Sequence, residues 1–315
     1  MAMKTAAFLA AAVLLSPAPA LAARYDPSFD RAALRQAATL ANSSVVDASG
    51  LSLEPEKVPA ITAGLDEGLR QARLAADAAR SLDAAARQRG AALEAGSKDA
   101  VLSRRIKEVL DPVAAERARL TRLSSDQAEL AKKVDALPEE VQKKLRPLLS
   151  KAGDGLRSAG DALRPLDEAI RTMEEQALAM KEVQRDSRGP LLEISSAAAG
   201  TILRAEDLPP ALAEAKARLA LLGQEPRAAA RGRAWEKLDV LRGVTRMLFQ
   251  DADRACNRAD ELRRVSSDYD RAAEAFEKAR GAAAAGPAGV AALLDEVRKL
   301  HREIRERLQP PAAGR

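Results

Sequence analysis

The chain has 315 residues, of which 47% are apolar but only 2% aromatic, so it can bury a core but cannot build that core from aromatic rings. Its single cysteine, Cys256, excludes an intramolecular disulfide. Its single histidine, His301, excludes both the paired Glu-x-x-His signature of dimetal bundles and Cys/His zinc sites. The 51 Lys and Arg against 46 Asp and Glu give a mild net charge of +5, with the two signs interleaved, which describes an overall balance and locates no basic patch.

The first residues, "MAMKTAAFLAAAVLLSPAPALAARYD", place one cation at Lys4, an apolar stretch from Ala6 to Leu15, a Ser16-Pro17 break and then Ala20-Leu21-Ala22. That order predicts a secretory signal peptide cleaved after Ala22. Its loss removes only Lys4, leaving 50 basic against 46 acidic groups and a net charge of +4. Nothing beyond residue 22 approaches the run of about 20 apolar residues that a membrane-spanning helix needs. The mature chain is therefore expected in the periplasm or outside the cell. The Asn42-Ser43-Ser44 triplet matches a glycan acceptor, a pattern short enough to recur by chance.

Alanine, leucine and arginine, all strong helix formers, dominate the rest, and their spacing predicts helices throughout. The first seam, at alternating steps of three and four, is Ile61, Leu65, Gly68, Ala72, Ala75, Ala79, Leu82, Ala86, Arg89 and Leu93. It predicts a helix of about 40 residues starting near Pro55. The second runs Leu102, Ile106, Val109, Val113, Glu116, Leu120, Leu123, Gln127, Leu130, Val134 and Leu137. Its phase survives Pro112, which either kinks one helix or begins a second one after an Asp111 cap.

The third seam starts after Pro138 and reads Val141, Leu145, Leu148, Ala152, Leu156, Ala159, Leu163, Leu166, Ile170, Met173, Ala177 and Met180. Two consecutive steps of four around Ala152 make a stutter, which unwinds a supercoil locally without ending the helix. Gly153, Gly155 and Gly160 fall off the seam, so "AGDGLRSAGDALRP" is expected to be helical, with Pro147 and Pro165 as bends at its flanks. A break is expected at "SRGPLLE", where Gly189 and Pro190 resemble a helix stop followed by a helix start. Shorter pieces should follow, interrupted by Pro209-Pro210 and by Gly223 to Pro226.

The longest seam comes next: Trp235, Leu238, Leu241, Thr245, Leu248, Ala252, Ala255, Ala259, Leu262, Ser266, Tyr269, Ala273 and Phe276, a helix from about 227 to 281. "GAAAAGPAG" ends it. A last helix carries Val290, Leu294, Val297, His301, Ile304 and Leu308.

Long apolar seams need partners, and turns as short as "AGSK" and "ALPE" are expected to fold the helices back on one another. The expected fold is therefore all-α, an elongated antiparallel helical bundle with coiled-coil packing, three or four long helices and some shorter ones. In chain order this gives a leader over 1–22, a short helix and linker over 23–55, and three long antiparallel helices over 56–188. Short helices and turns follow over 189–226, then a long helix plus a C-terminal helix on the same bundle over 227–308, and a tail over 309–315.

No Gly-x-Ser-x-Gly elbow, phosphate loop or dinucleotide fingerprint is present. Adjacent carboxylates such as Glu139-Glu140 and Glu174-Glu175 point to different sides of a helix and read as surface. His301 lies on the last seam and reads as a packing residue. Cys256, at a seam edge, is either a small buried hydrophobe or an exposed thiol joining two chains. The basic clusters Arg104-Arg105-Lys107, Lys132-Lys133, Lys143-Lys144-Arg146 and Arg298-Lys299-Arg302-Arg305-Arg307 carry carboxylates at helical spacing, for example Arg302 with Glu306 and Glu303 with Arg307. They read as solvated, salt-bridged faces and not as a nucleic-acid surface, which wants stacked aromatics.

No catalytic, metal or cofactor residue is expected, and no enzyme activity. The leading expectation is an exported scaffold or interaction protein of the cell envelope whose partner is another envelope or secreted protein. Self-association and a weak contact with a membrane surface are secondary expectations, the latter through amphipathic helices on lipid or an anionic envelope polymer. A minor alternative is a helical pore-forming toxin with "PLLEISSAAAGTIL" as its apolar insert, a stretch of about 14 residues that is short of a span and carries Glu193.

Overall fold

A computed structural model describes residues 31–224 and 227–309. The expected leader over 1–22 lies outside them. All regular structure among the described residues is helical: α1 (Arg31–Gly50), α2 (Val58–Ser97, after a 3-10 turn at Pro55–Lys57), α3 (Asp99–Asp135), α4 (Glu139–Leu222), α5 (Ala228–Ala285) and α6 (Pro287–Leu308). The fold is an all-α helical bundle whose long helices, α2 to α5, pack within the two units described below.

The seams are the cause. Every position of the α2 seam from Ile61 to Leu93 is buried, Arg89 included. In α3 the buried set is Leu102, Arg105, Val109, Val113, Leu123, Leu130 and Val134, and Pro112 sits inside one unbroken helix. A proline there costs about 3 kcal/mol. Burying a single Leu or Val returns about 1.5–3 kcal/mol, so a seam of six such side chains outweighs the proline. The glycine-rich stretch of α4 is helical throughout. Gly155 marks a close approach: a Cβ there would lie 2.7 Å from Cγ2 of Val297 on α6.

Two compact units divide the chain. The first holds the described residues up to Ala95 together with Glu182–Asp270, and four helices run through it. Ion pairs Asp66 with Lys216 and Arg80 with Glu206 set α2 antiparallel to α4. Glu193 with Arg258 and Glu214 with Lys237 do the same for α4 and α5, and Arg31 with Asp260 and Arg35 with Asp253 for α1 and α5. Exposed pairs of this kind contribute about 0–1 kcal/mol each; their value here is that they report register. More than half of this unit's core side chains are alanine. Gly64 and Gly68 of α2 let α1 come closer still, since a Cβ would stand 2.7 Å from Cβ of Ala48 and 2.6 Å from Cγ2 of Val45 respectively.

The second unit, Gly96–Lys181 with Arg271–Arg315, packs larger side chains. Asp99 with Lys181, Arg117 with Asp167 and Asp135 with Arg146 align α3 antiparallel to α4. Arg119 with Asp295 and Asp126 with Arg305 align α6 parallel to α3. At one end Leu130, Val134, Leu145, Leu149 and Ile304 form a cluster of their own.

The structure differs from the sequence-based expectation in four places. No break occurs at Gly189-Pro190, and residues 189–226 are not short helices and turns, because α4 continues to Leu222 through both proline sites. The buried row Met180, Ser187, Pro190, Ile194, Ala198, Thr201, Ala205, Leu208 and Leu212 keeps helical spacing across the supposed stop, and Ser187 Oγ donates 2.8 Å to the Gln184 carbonyl inside the helix. The "AGSK" turn is reduced to a single non-helical residue at Lys98, and the antiparallel partner of α2 within its unit is the part of α4 from Glu182 onward, that of α3 within its own unit the part up to Lys181. Trp235 is 41% exposed and Ala234 takes its place in the core. Finally, α5 extends to Ala285 before Gly286 and Pro287 interrupt it.

Candidate functional site

Polar residues that interrupt the seams are the first place to look for chemistry, because a buried polar group is costly unless it is partnered. Arg89 of α2 is 5% exposed. Its Nε donates 3.2 Å to Ser266 Oγ, and its Nη2 donates to the Ser266 carbonyl (3.3 Å) and to Asp270 (3.0 Å). The guanidinium lies 5.6 Å from the centre of the Tyr269 ring, a cation–π distance. Both Arg89 and Ser266 look like seam defects in the sequence; in the structure they meet, fixing α2 against α5.

Arg105 belongs to a cluster expected on a solvated face, yet it is buried. Its Nη2 donates to Glu277, which also accepts from Arg280 Nε at 2.9 Å, and its guanidinium carbon lies 5.4 Å from the Phe276 ring centre. Several other members of the basic clusters do pair on the surface, Arg104 with Glu108, Lys143 with Glu139 and Glu140, and Arg307 with Glu303. The expected pairing of Arg302 with Glu306 does not occur among the ion pairs of the described residues.

Gln127 joins three helices of the second unit. Its Nε2 donates 2.6 Å to the Leu149 carbonyl of α4, and its Oε1 lies 2.6 Å from His301 Nε2 of α6. With the amide oxygen facing it, Nε2 carries the imidazole proton and Nδ1 is the bare nitrogen. Nδ1 is buried with no hydrogen-bond partner. Burial is the main cause that holds the His301 pKa below its ordinary value; Arg305 adds to this and Asp126 opposes it. The imidazole is a neutral packing group, as its seam position predicts.

Cys256 is fully buried, and its Sγ lies 3.7 Å from the Arg31 carbonyl at the start of α1. Burial pushes the thiol pKa up to about 11, so the sulfur is neither accessible nor ionised. This is the buried-hydrophobe reading, and the exposed interchain thiol does not fit it. Asn42 is half-buried within α1, its Oδ1 3.4 Å from Thr245 Oγ1. The "PLLEISSAAAGTIL" stretch is an amphipathic part of α4: Ile194, Ala197, Ala198 and Thr201 are buried, while Leu192 and Leu203 face solvent.

Among the described residues no group of three or more His, Cys, Asp or Glu is placed to hold a metal ion, and no helix is long and apolar enough to cross a membrane. One surface stands out that the seams do not signal, the N-terminal half of α5, where Trp235 is exposed among arginines. Comparison with known protein families, with curated proteins and with solved structures finds no match.

Proposed function

We propose that the chain is an exported, non-enzymatic scaffold of the cell envelope, a helical body that presents a surface to another envelope or secreted protein. One observation carries the reading: three buried polar side chains that interrupt the apolar packing each bridge one helix to another. Arg89 is held by Ser266 and Asp270, Arg105 by Glu277, and His301 by Gln127. Such partnered groups favour one register of packed helices over its slipped alternatives. The export half of the reading rests on the leader pattern over residues 1–22 alone.

The test is cross-linked capture of the tagged protein from envelope fractions of its native host, with N-terminal sequencing of the captured chain. The proposal expects a mature start at Ala23 and one dominant protein in a fixed stoichiometry. Retention of residues 1–22 in the cytoplasmic fraction, or lipid and polysaccharide with no stoichiometric protein, would overturn it.

A further inference from the structure

One stretch of the first unit carries an excess of positive charge. Residues 227–246, "RAAARGRAWEKLDVLRGVTR", hold six basic residues, Arg227, Arg231, Arg233, Lys237, Arg242 and Arg246, against Glu236 and Asp239, a local net charge of +4 where the whole chain has +5. Lys237 is engaged by Glu214. Arg231, Arg233, Arg242 and Arg246 are exposed and make no ion pair among the described residues.

Helical spacing groups these residues. Arg231, Trp235, Arg242 and Arg246, at steps of four, seven and four, fall on one stripe of α5. Trp235, the one tryptophan of the chain, is 41% exposed within that stripe. Beside the stripe an open groove between α1 and α5 has Val46 and Phe249 as its apolar lining and Arg242 and Arg246, with the single carboxylate Asp239, on its wall. A monomer gains nothing from exposing a tryptophan among unpaired guanidinium groups. An anionic bilayer surface would satisfy both, since phosphate oxygens take the arginines and the indole settles at the headgroup level.

We propose that the N-terminal half of α5 in the first unit is a docking face for an anionic lipid surface. This is an interaction beyond the scaffold role and does not depend on the identity of a protein partner. The interaction is peripheral: the arginines supply long-range attraction, and Trp235 supplies shallow apolar contact.

Because Trp235 is the sole tryptophan, its fluorescence reports on this face and no other. The full chain is mixed at low ionic strength with vesicles of phosphatidylglycerol and phosphatidylcholine, and separately with phosphatidylcholine alone. The proposal expects sedimentation with the anionic vesicles only, a shift of Trp235 emission to shorter wavelength, and reversal by salt. Arg242→Gln with Arg246→Gln, both at exposed positions, should weaken binding about fivefold for each arginine removed. Arg298→Gln with Lys299→Gln on α6 should leave it unchanged. Equal binding of the two double variants, unchanged Trp235 emission in bound protein, equal sedimentation with neutral vesicles, or no sedimentation at all would each overturn the proposal. Capture of a soluble polyanion in place of vesicles would overturn it too, and would assign the face to a different partner.

Discussion

The two units solve the same packing problem with different side chains. The first draws four helices together on alanine, with Gly64 and Gly68 letting α1 approach α2 at backbone distance. The second buries Leu102, Val113, Leu163, Met173, Phe276 and Leu294 instead. Small residues bring helix axes close and leave no room for growth; large residues fill volume and leave a void when removed. The first unit should therefore be intolerant of enlargement and the second of truncation.

The largest effect should come from the second unit. Phe276 is fully buried and supports the Arg105 guanidinium, so Phe276→Ala should lower unfolding free energy by about 3–5 kcal/mol, measured by chemical denaturation. An effect no larger than that of an alanine truncation at the surface would break the contrast.

The first unit should fail in the opposite way. Gly68→Leu forces a side chain into the space of Val45, at a cost of about 1–3 kcal/mol. The strain falls on α1, which covers Cys256 through the Arg31 carbonyl. Thiol labelling of Cys256 should accelerate in Gly68→Leu and stay slow in Phe276→Ala under native conditions. Labelling that follows global stability alone in both variants would mean that α1 does not open separately.

A smaller, pH-dependent effect belongs to the second unit. His301 has a folded pKa below its ordinary value near 6.5, so between the two values the unfolded chain binds the extra proton. The stability contributed by neutral His301 is complete above about pH 6.5 and is lost as pH falls toward the folded pKa. A thermal melt followed against pH should decline over that window, and His301→Gln, which keeps an amide beside Gln127 and removes the titration, should flatten the decline. An identical slope in both proteins would remove His301 as its source.

Much of this fold is legible in the amino-acid sequence, and the reason is periodicity. The α2 seam is buried at every position, and the α6 seam at Val290, Leu294, Val297, His301 and Ile304. The glycines of α4 read as helical because the seam passes them by. Phase also runs through Gly189, but Gln184 and Ser187 are polar at seam positions, so the Gly-Pro pair stands out as a local stop signal that tertiary packing overrides. Trp235 has the size of a core residue, whereas Ala234, one position earlier, is the residue that fits between close helices. The polar nodes are out of reach for another reason. Gln127 and His301 lie 174 residues apart, and pairing two seam defects requires knowing which helices are neighbours and in what register. Arg89 with Ser266, 177 apart, is the same case. The basic, tryptophan-bearing face of α5 does have a signal in the sequence, the charge summed over a helical window, which a scan for adjacent cations misses.

The continuity of α4 through Gly189-Pro190 is the central claim, since it lets one helix serve as antiparallel partner to both α2 and α3. Gly189 has no positive φ and is exposed, and a Cβ there would meet nothing within 4 Å. The most direct measurement is the denaturation midpoint of Gly189→Ala. In a continuous helix alanine should stabilise the protein by about 0.5–1 kcal/mol. If Gly189 instead capped a helix end in the left-handed conformation, the same substitution would destabilise the protein, and α4 would be two helices instead of one.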